Sequence, residues 1–175
     1  NGTNQMEYIT IATTGSASDF GALNMAAVTG ISGAASPTRG LFAGGNGPGP
    51  GWSFDHNTID YITIASTGDA TDFGDLSRKD FAYGGACSST TRAVFGGGYT
   101  PSPSPATETN TMDYVTIAST GNATDFGDLI IAGWYNGGTS NSTRGIFTGR
   151  LTTSPTSGDP TIDSIIIATT GNAVN

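Results

Sequence analysis

The feature that most constrains this chain is a repeat with a period of about fifty residues. Four segments have nearly the same sequence: EYITIATTG at 7–15, DYITIASTG at 60–68, DYVTIASTG at 113–121 and DSIIIATTG at 163–171. Tyr8, Tyr61 and Tyr114 are spaced 53 residues apart, and Ser164 stands at the equivalent place 50 residues further on. Periods of this size are typical of solenoids, propellers and arrays, in which each unit buries its apolar face against the next.

A second block recurs between these segments, as RGLFAGG at 39–45, RAVFGGG at 92–98 and RGIFTGR at 144–150. Variable stretches rich in turn-forming residues follow it at 46–57, 99–110 and 151–160. We therefore predict a single repeat domain over 1–175. Its parts are repeat 1 at about 5–57, repeat 2 at about 58–110, repeat 3 at about 111–160 and a partial repeat 4 at about 161–175.

The local pattern within each repeat predicts β-strands. Ile62 and Ile64 alternate with polar or small residues, which is the period of two of a half-buried strand. Gly68 then predicts a turn, because glycine tolerates a positive φ. The return strand that follows contains Phe73 and Leu76 as its expected buried anchors.

Two further strands complete the predicted unit. The segment 93–95 is apolar and ends at glycines, and a weaker strand is expected around 26–31, 80–84 and 130–135. No segment has a helical period. Four short strands in each repeat predict an all-β chain of β-propeller blades. Three repeats and one extra strand do not close a ring, which leaves a fragment of a longer protein, a ring completed by other copies, or an open stack.

The order of these residues resembles kelch repeats. Such a repeat has an Arg before an apolar strand that ends in Gly-Gly, and then a Tyr-containing strand and an aromatic anchor. The match is carried by Arg92, Phe95, Gly96, Gly97, Tyr114, Phe126 and Leu129. Phe126 stands where kelch repeats usually have Trp, and Arg150 replaces the second glycine of the third copy. The resemblance implies kelch-like β-propeller blades of about three four-stranded repeats plus one strand of a fourth.

The sequence DYVTIASTGNATDFGDL at 113–129 is also similar to repeats in virion structural proteins of tailed phages that infect marine bacteria. This resemblance implies a non-enzymatic structural or adhesion module, located in a virion or outside the cell. It also implies assembly into a homo-oligomer or with other virion or appendage subunits.

Charge and composition narrow the classes of partner. The net charge is −8, which argues against nucleic acid and anionic membrane surfaces, since both attract basic proteins. No apolar run approaches the roughly 20 residues that cross a bilayer, so no membrane insertion is predicted. Charged residues make up only 11% of the chain, a polar but weakly charged profile common in extracellular β-proteins. The single cysteine, Cys87, is interpreted as a small buried thiol.

The tripeptide Asp-Phe-Gly, which binds magnesium in protein kinases, occurs three times. The kinase interpretation fails because the chain has no catalytic loop and no Lys besides Lys79. A calcium site is the alternative for these carboxylates, but their spacing differs from that of an EF-hand, and we predict no metal and no cofactor. We assign structural roles to the aspartates and phenylalanines of the three copies. The carboxylates are expected to accept hydrogen bonds in turns or to pair with arginines. The residues are Asp19, Phe20, Asp72, Phe73, Asp125 and Phe126.

Arg39, Arg92 and Arg144 occupy one position of the repeat and account for half of the basic residues. The guanidinium group pairs well with carboxylates and backbone carbonyls. We predict structural bridges within or between blades, with recognition of glycan or carboxylate as the alternative.

The variable regions contain the candidate binding residues. Aromatic side chains on a hydroxyl-rich surface suit stacking against sugars, and loops on a rigid scaffold commonly bind ligands. The candidates are Trp52, Phe54, His56, Tyr99, Trp134 and Tyr135, with Phe81 and Tyr83 nearby. Packing between blades is the alternative role.

No catalytic residue is predicted. A carbohydrate-active propeller enzyme remains the alternative function, and it would need two carboxylates in one pocket. Asp55, Asp80 and Glu108 are the acids outside the repeat positions.

The last strand differs from its counterparts, because 165–167 is three isoleucines and thus apolar on both faces. An unpaired apolar strand is an aggregation hazard. We expect it to be more buried than its counterparts and covered by the N-terminal part of the chain or by a neighbouring copy.

Overall fold

The computed structural model describes residues 4–25, 29–47, 54–79, 82–100, 107–153 and 156–175. Every regular element within these ranges is a β-strand, which confirms the all-β prediction. Among the described residues, no helix is long and apolar enough to span a membrane. The strands are β1 (Gln5–Tyr8), β2 (Ser18–Ala22), β3 (Ser32–Ala35), β4 (Arg39–Ala43), β5 (Asn46–Gly47), β6 (Phe54–Asp55), β7 (Thr58–Thr63), β8 (Thr71–Asp75), β9 (Gly85–Ser88), β10 (Arg92–Thr100), β11 (Thr107–Thr116), β12 (Thr124–Asp128), β13 (Gly137–Ser140), β14 (Arg144–Thr148), β15 (Arg150–Thr153), β16 (Thr156–Asp159) and β17 (Asp163–Ile166).

These strands form four main antiparallel sheets that follow one another along the chain. Sheet 1 is the pair β1-β2, sheet 2 has the order β3-β4-β7-β8, sheet 3 has the order β9-β10-β11-β12, and sheet 4 has the order β13-β14-β17. The first strands of sheets 2, 3 and 4 lie beside one another, with β9 in contact with both β3 and β13. Each of these sheets also bears a small hairpin between its second and third strands: β5-β6, the outer ends of β10 and β11, and β15-β16.

Each four-stranded sheet combines strands from two neighbouring sequence repeats. In sheet 2, β3 and β4 come from the stretch 5–57, whereas β7 and β8 come from 58–110. The second recurring block therefore pairs with the Tyr-containing segment of the following repeat, as Leu41 does with Tyr61. Sheets 2, 3 and 4 are therefore linked in sequence, because each of them contains strands from two consecutive repeats.

The weakest predicted strand lies a few residues later than expected. The prediction placed it around 26–31, 80–84 and 130–135, where the described residues form only isolated bridges at Thr29, Ala82 and Trp134. The strands at this place are β3, β9 and β13, whose residues are small. Small residues are needed because neighbouring strands approach closely. A Cβ at Gly138, for example, would collide with the backbone of Ala86.

Three apolar clusters fill the spaces between successive sheets. The first contains Met6, Phe20, Leu23 and Ala70; the second contains Leu41, Ile59, Phe73, Leu76, Phe95 and Ile117; the third contains Val94, Met112, Phe126, Leu129, Phe147 and Ile167. The three repeat phenylalanines, with exposures of 8%, 2% and 2%, contribute one to each cluster. Cys87 is also buried in the third cluster, and burial raises the pKa of its thiol to about 12.

The repeated Thr-Gly-x-Ala segment joins each sheet to the preceding one. The Gly68 amide donates to the Phe20 carbonyl (2.7 Å) and the Ala70 amide to the Ala22 carbonyl (2.8 Å). Asp69 Oδ1 accepts the Ala22 amide in return, at 3.0 Å. The same hydrogen bonds recur where 121–123 meets β8 and where 171–173 meets β12.

This junction explains the glycine of Asp-Phe-Gly. Gly74 has a φ of 143°, and a Cβ built there would lie 2.5 Å from the carbonyl oxygen of Gly121. Gly21 and Gly127 have the same conformation, with φ values of 142° and 135°. The glycine therefore recurs because the backbone of the next repeat packs directly against each outer strand at this residue.

Within the described chain, the last strand is buried on one face only. Ile165 and Ile167 are buried, at 5% and 0% exposure, but Ile166 between them is 48% exposed. β17 pairs with β14, and Ser164 forms a bridge to Val174. Within the described ranges it makes no pairing with the N-terminal strands. Its apolar outer side thus remains open to solvent.

Candidate aromatic binding site

The segment before the first strand has the same backbone in sheets 2, 3 and 4. One residue forms an isolated antiparallel bridge to the hairpin, joining Thr29 to Asn46, Ala82 to Tyr99 and Trp134 to Leu151. The next residue has a positive φ, of 70° at Gly30, 61° at Tyr83 and 57° at Tyr135. The framework is therefore constant, and the side chains that it displays change from Thr-Gly to Ala-Tyr to Trp-Tyr.

Two of these positions are strained. Tyrosine pays a steric cost of about 1–2 kcal/mol for the left-handed conformation that Gly30 adopts freely. In the part of the chain that the structure describes, Tyr83 and Tyr135 are the non-glycine residues with positive φ. Such residues concentrate at functional sites, where the surroundings hold them in place.

The strained tyrosines belong to an aromatic cluster, defined here as Tyr83, Tyr99, Trp134 and Tyr135. Trp134 is stacked with Tyr99 at a centroid distance of 4.7 Å and with Tyr135 at 4.5 Å. Tyr83 is edge-on to Trp134 at 6.0 Å and to Tyr135 at 4.8 Å. The cluster joins the hairpin of sheet 3 to the segment that opens sheet 4.

Polar groups accompany the rings. The indole N–H of Trp134 is buried and has no hydrogen-bond partner among the described residues. The Tyr83 hydroxyl lies 3.4 Å from Thr29 Oγ1, and the Tyr135 side chain is 51% exposed. Glu108 is the cross-strand partner of Tyr99, so its carboxylate lies on the same face of the hairpin. The site thus presents the open ring of Tyr135 together with tyrosine hydroxyl groups.

The structure brings together three of the six predicted ligand-binding residues, namely Tyr99, Trp134 and Tyr135. Trp52 lies outside the described residues, and Phe54 is described only as backbone of β6. His56 follows β6, and its amide donates to the Gly45 carbonyl at 2.9 Å. No ring contact in the described part of the chain connects His56 to the aromatic cluster.

The acids of the enzymatic alternative are only partly placed. Asp80 lies outside the described residues, and Asp55 is described only as backbone of β6. Glu108 is half-buried in β11. Among the residues that the structure describes, no group of three or more His, Cys, Asp or Glu side chains is arranged to hold a metal ion.

The Asp residues of Asp-Phe-Gly are exposed and act within their own turns. In each copy the carboxylate accepts the amide of the glycine two residues later, at 3.2 Å. The acceptors are Asp19, Asp72 and Asp125. Their hydrogen bonds orient the backbone at the junction between sheets.

Two of the repeat arginines connect successive sheets. The Arg39 guanidinium lies over the Tyr61 ring (4.6 Å), and its Nη1 donates to the Ile117 carbonyl of sheet 3 at 2.8 Å. Arg92 repeats this arrangement with Tyr114 (4.2 Å) and the Ile167 carbonyl of sheet 4 (3.0 Å). Arg144 is exposed at the far side of sheet 4, where Ser164 stands in place of the tyrosine.

A set of buried carboxylates was missed by the sequence analysis. Asp60, Asp113 and Asp163 are at most 3% exposed and lie at one repeat position, directly before the tyrosine position. They accept backbone amides of the loop after the outer strand, from Asn24 (2.9 Å), Ser77 (2.8 Å) and Ile130 (3.2 Å). Burial raises the pKa of Asp113, although the Ser77 hydrogen bonds oppose this shift. The recurrence of Asp before Tyr was the available signal.

Comparison with known proteins supports the fold but gives no information on function. No family model and no curated protein matches the chain. Many solved structures are similar in fold, and one of them is the structure titled "Structure of YjhT", at 12% sequence identity and a TM-score of 0.64. The match covers 81% of this chain and 43% of that chain. At this identity the likeness concerns the arrangement of antiparallel sheets and carries no function.

Proposed function

We propose that this chain is a non-enzymatic, kelch-like β-propeller module that binds glycan at the aromatic cluster. In this proposal sheets 2, 3 and 4 are blades, with β3, β9 and β13 as the innermost strands beside the axis. The apolar clusters that sheet 3 shares with sheets 2 and 4, and the contacts of β9 with β3 and β13, support this arrangement.

The observation that carries glycan binding is the strained, partly exposed Tyr135 beside Trp134. A purely structural position would accept glycine, as Gly30 does in sheet 2, without the steric cost. The exposed part of the Tyr135 ring suits the C–H face of a sugar. The tyrosine hydroxyl groups of the cluster can both donate and accept hydrogen bonds, as the hydroxyl groups of a sugar require.

Charge favours a neutral sugar over an anionic one. The chain has 14 acidic and 6 basic residues, and a carboxylate lies on the hairpin that contributes Tyr99 to the cluster. Sialylated or sulfated glycans would meet repulsion from this negative field. We therefore propose neutral oligosaccharides as the ligand class.

The wider setting that we propose is a virion or another extracellular appendage, with homo-oligomers or other appendage subunits as partners. The weakly charged, hydroxyl-rich composition and the resemblance of 113–129 to phage structural repeats support this setting. The module would act by presenting the glycan-binding residues of its variable regions on a stiff scaffold of sheets.

A glycan array probed with the labelled chain tests the proposal. We expect signal on neutral glycans, and loss of that signal with Tyr135→Ala. Tyr8→Leu removes a tyrosine that is 43% exposed in sheet 1 and serves as the matched control. An array without specific signal, or equal signal from Tyr135→Ala, would contradict glycan binding by this cluster.

A further inference from the structure

A row of three equivalent residues crosses the segments that open sheets 2, 3 and 4. These residues are Gly30, Tyr83 and Tyr135, and each has a positive φ. The Tyr83 amide donates to the Gly30 carbonyl at 2.9 Å, so the opening segments of sheets 2 and 3 lie directly side by side. Backbones joined in this way are about 5 Å apart, and three successive segments therefore span about 10 Å. The row is longer than a single pyranose ring.

The Tyr83 ring occupies the middle of this row and extends toward sheet 2. A Cβ added at Gly30 would lie 2.7 Å from Cδ1 of this ring, which means that the ring lies directly on the Gly30 backbone. On its other side the ring contacts that of Tyr135, at a centroid distance of 4.8 Å. Sheet 3 has a neighbouring sheet on each side, so the position of the Tyr83 ring is fixed from both directions.

The end of the row at sheet 2 is polar. The Tyr83 hydroxyl lies 3.4 Å from Thr29 Oγ1, in a contact that is exposed to solvent. A strong hydrogen bond between hydroxyl groups is about 2.8 Å long, so these two groups bind each other only weakly. Each of them has one donor and two acceptor sites. A sugar hydroxyl beside the two oxygens can therefore form hydrogen bonds to both.

We propose that Tyr83 and Thr29 form a second sugar subsite, so that the protein binds a linear oligosaccharide of at least two units across sheets 4, 3 and 2. This inference rests on the proposed glycan binding and adds the length and direction of the ligand. The first unit stacks on the exposed ring of Tyr135, and hydroxyl groups of the next unit bond to Tyr83 and Thr29. These two residues contact the ligand only beyond its first unit and therefore determine the preference for chain length.

An NMR titration of the full chain with sugars of increasing length measures this preference. The probes are N-acetylglucosamine with its β-1,4-linked di- and trisaccharide, and galactose with its β-1,4-linked disaccharide. We expect the disaccharide to bind about tenfold more tightly than the monosaccharide, because it adds hydrogen bonds to two hydroxyl groups. Equal affinity for the two would overturn the second subsite and leave glycan binding at Tyr135 intact. Absence of binding by every probe would contradict both proposals.

Two conservative variants test the residues assigned to the subsite. Tyr83→Phe keeps the ring and its contact with Tyr135 but removes the hydroxyl, and Thr29→Val removes the other hydroxyl at similar volume. Each variant should bind the disaccharide several-fold more weakly, while its affinity for the monosaccharide stays unchanged. Thr63→Val alters an exposed threonine of β7 and is the matched control. A full disaccharide advantage in both Tyr83→Phe and Thr29→Val would overturn the assignment.

Discussion

Arg150 and Asp163 form a fully buried ion pair, with Arg150 Nη2 2.7 Å from Asp163 Oδ2. This arginine stands at the repeat position of Gly45 and Gly98. In sheets 2 and 3 the equivalent carboxylates receive a side-chain donor from the loop, Asn24 Nδ2 for Asp60 and Ser77 Oγ for Asp113. The third copy has Ile130 at that loop position, and its side chain has no hydrogen-bond donor. Arg150 therefore compensates for a donor that the third repeat lost.

Restoring the glycine should destabilise the protein. Arg150→Gly would leave the buried Asp163 with the Ile130 amide alone, and breaking a buried ion pair on one side costs about 3–5 kcal/mol. Chemical denaturation measures the free energy of unfolding. The double variant Ile130→Asn, Arg150→Gly recreates the arrangement of sheet 2 and should recover much of this loss. Additive effects of the two substitutions would contradict the compensation.

The glycine of the second Asp-Phe-Gly should be intolerant of a side chain. Gly74→Ala combines a φ of 143° with a Cβ 2.5 Å from the Gly121 carbonyl oxygen. We expect a loss of about 1–3 kcal/mol in the free energy of unfolding. Gly158→Ala is the matched control, because no atom lies within 4 Å of its added Cβ. Equal stability of the two variants would show that the junction does not constrain this residue.

The elevated pKa of Asp113 predicts a pH dependence of stability. In the unfolded chain the Asp113 carboxyl group has its ordinary pKa, whereas burial in the folded protein raises this pKa, so that the proton is kept to higher pH. Between the unfolded-state pKa and the folded-state pKa, the folded state binds more protons than the unfolded state. The stability contributed by this group is therefore greatest below the unfolded-state pKa and decreases as pH rises through the folded-state pKa. In Asp113→Asn this decrease should be absent. A difference in unfolding free energy between wild type and variant that is constant with pH would refute the shift.

The sequence predicted the parts of the fold that depend on local pattern. Alternation around Ile62 and the period of the phenylalanines placed the strands and the anchors of the core, because both follow from which face of a strand is buried. The first strands were misplaced, since their small residues reflect the approach of a neighbouring strand such as β9 to β13. The buried Asp60 was missed for the same reason: its donor Asn24 is 36 residues away.

The candidate site was predicted by residue type and not by geometry. Tyr99, Trp134 and Tyr135 were named because variable aromatics suit ligand binding, but their stacking depends on contact between a hairpin and the opening segment of the next sheet. The positive φ of Tyr135 could have been predicted only by aligning it with Gly30.

The strain at Tyr135 can be separated from its ring. Tyr135→Gly and Tyr135→Ala both remove the stacking with Trp134, but only alanine retains a Cβ in the left-handed conformation. The glycine variant should therefore be more stable than the alanine variant by about 1 kcal/mol. Thermal or chemical unfolding of the two proteins measures this difference. Equal stability would mean that the backbone at 135 is not strained.

The most direct test of the central claim is saturation-transfer NMR with neutral sugars, using galactose, N-acetylglucosamine and their short oligomers as probes. We predict transfer of saturation to the ring C–H protons of at least one probe. Tyr135→Gly should abolish this transfer, and Tyr8→Leu should preserve it. No transfer to any probe at tens of millimolar, or transfer that persists in Tyr135→Gly, would contradict sugar binding at the aromatic cluster.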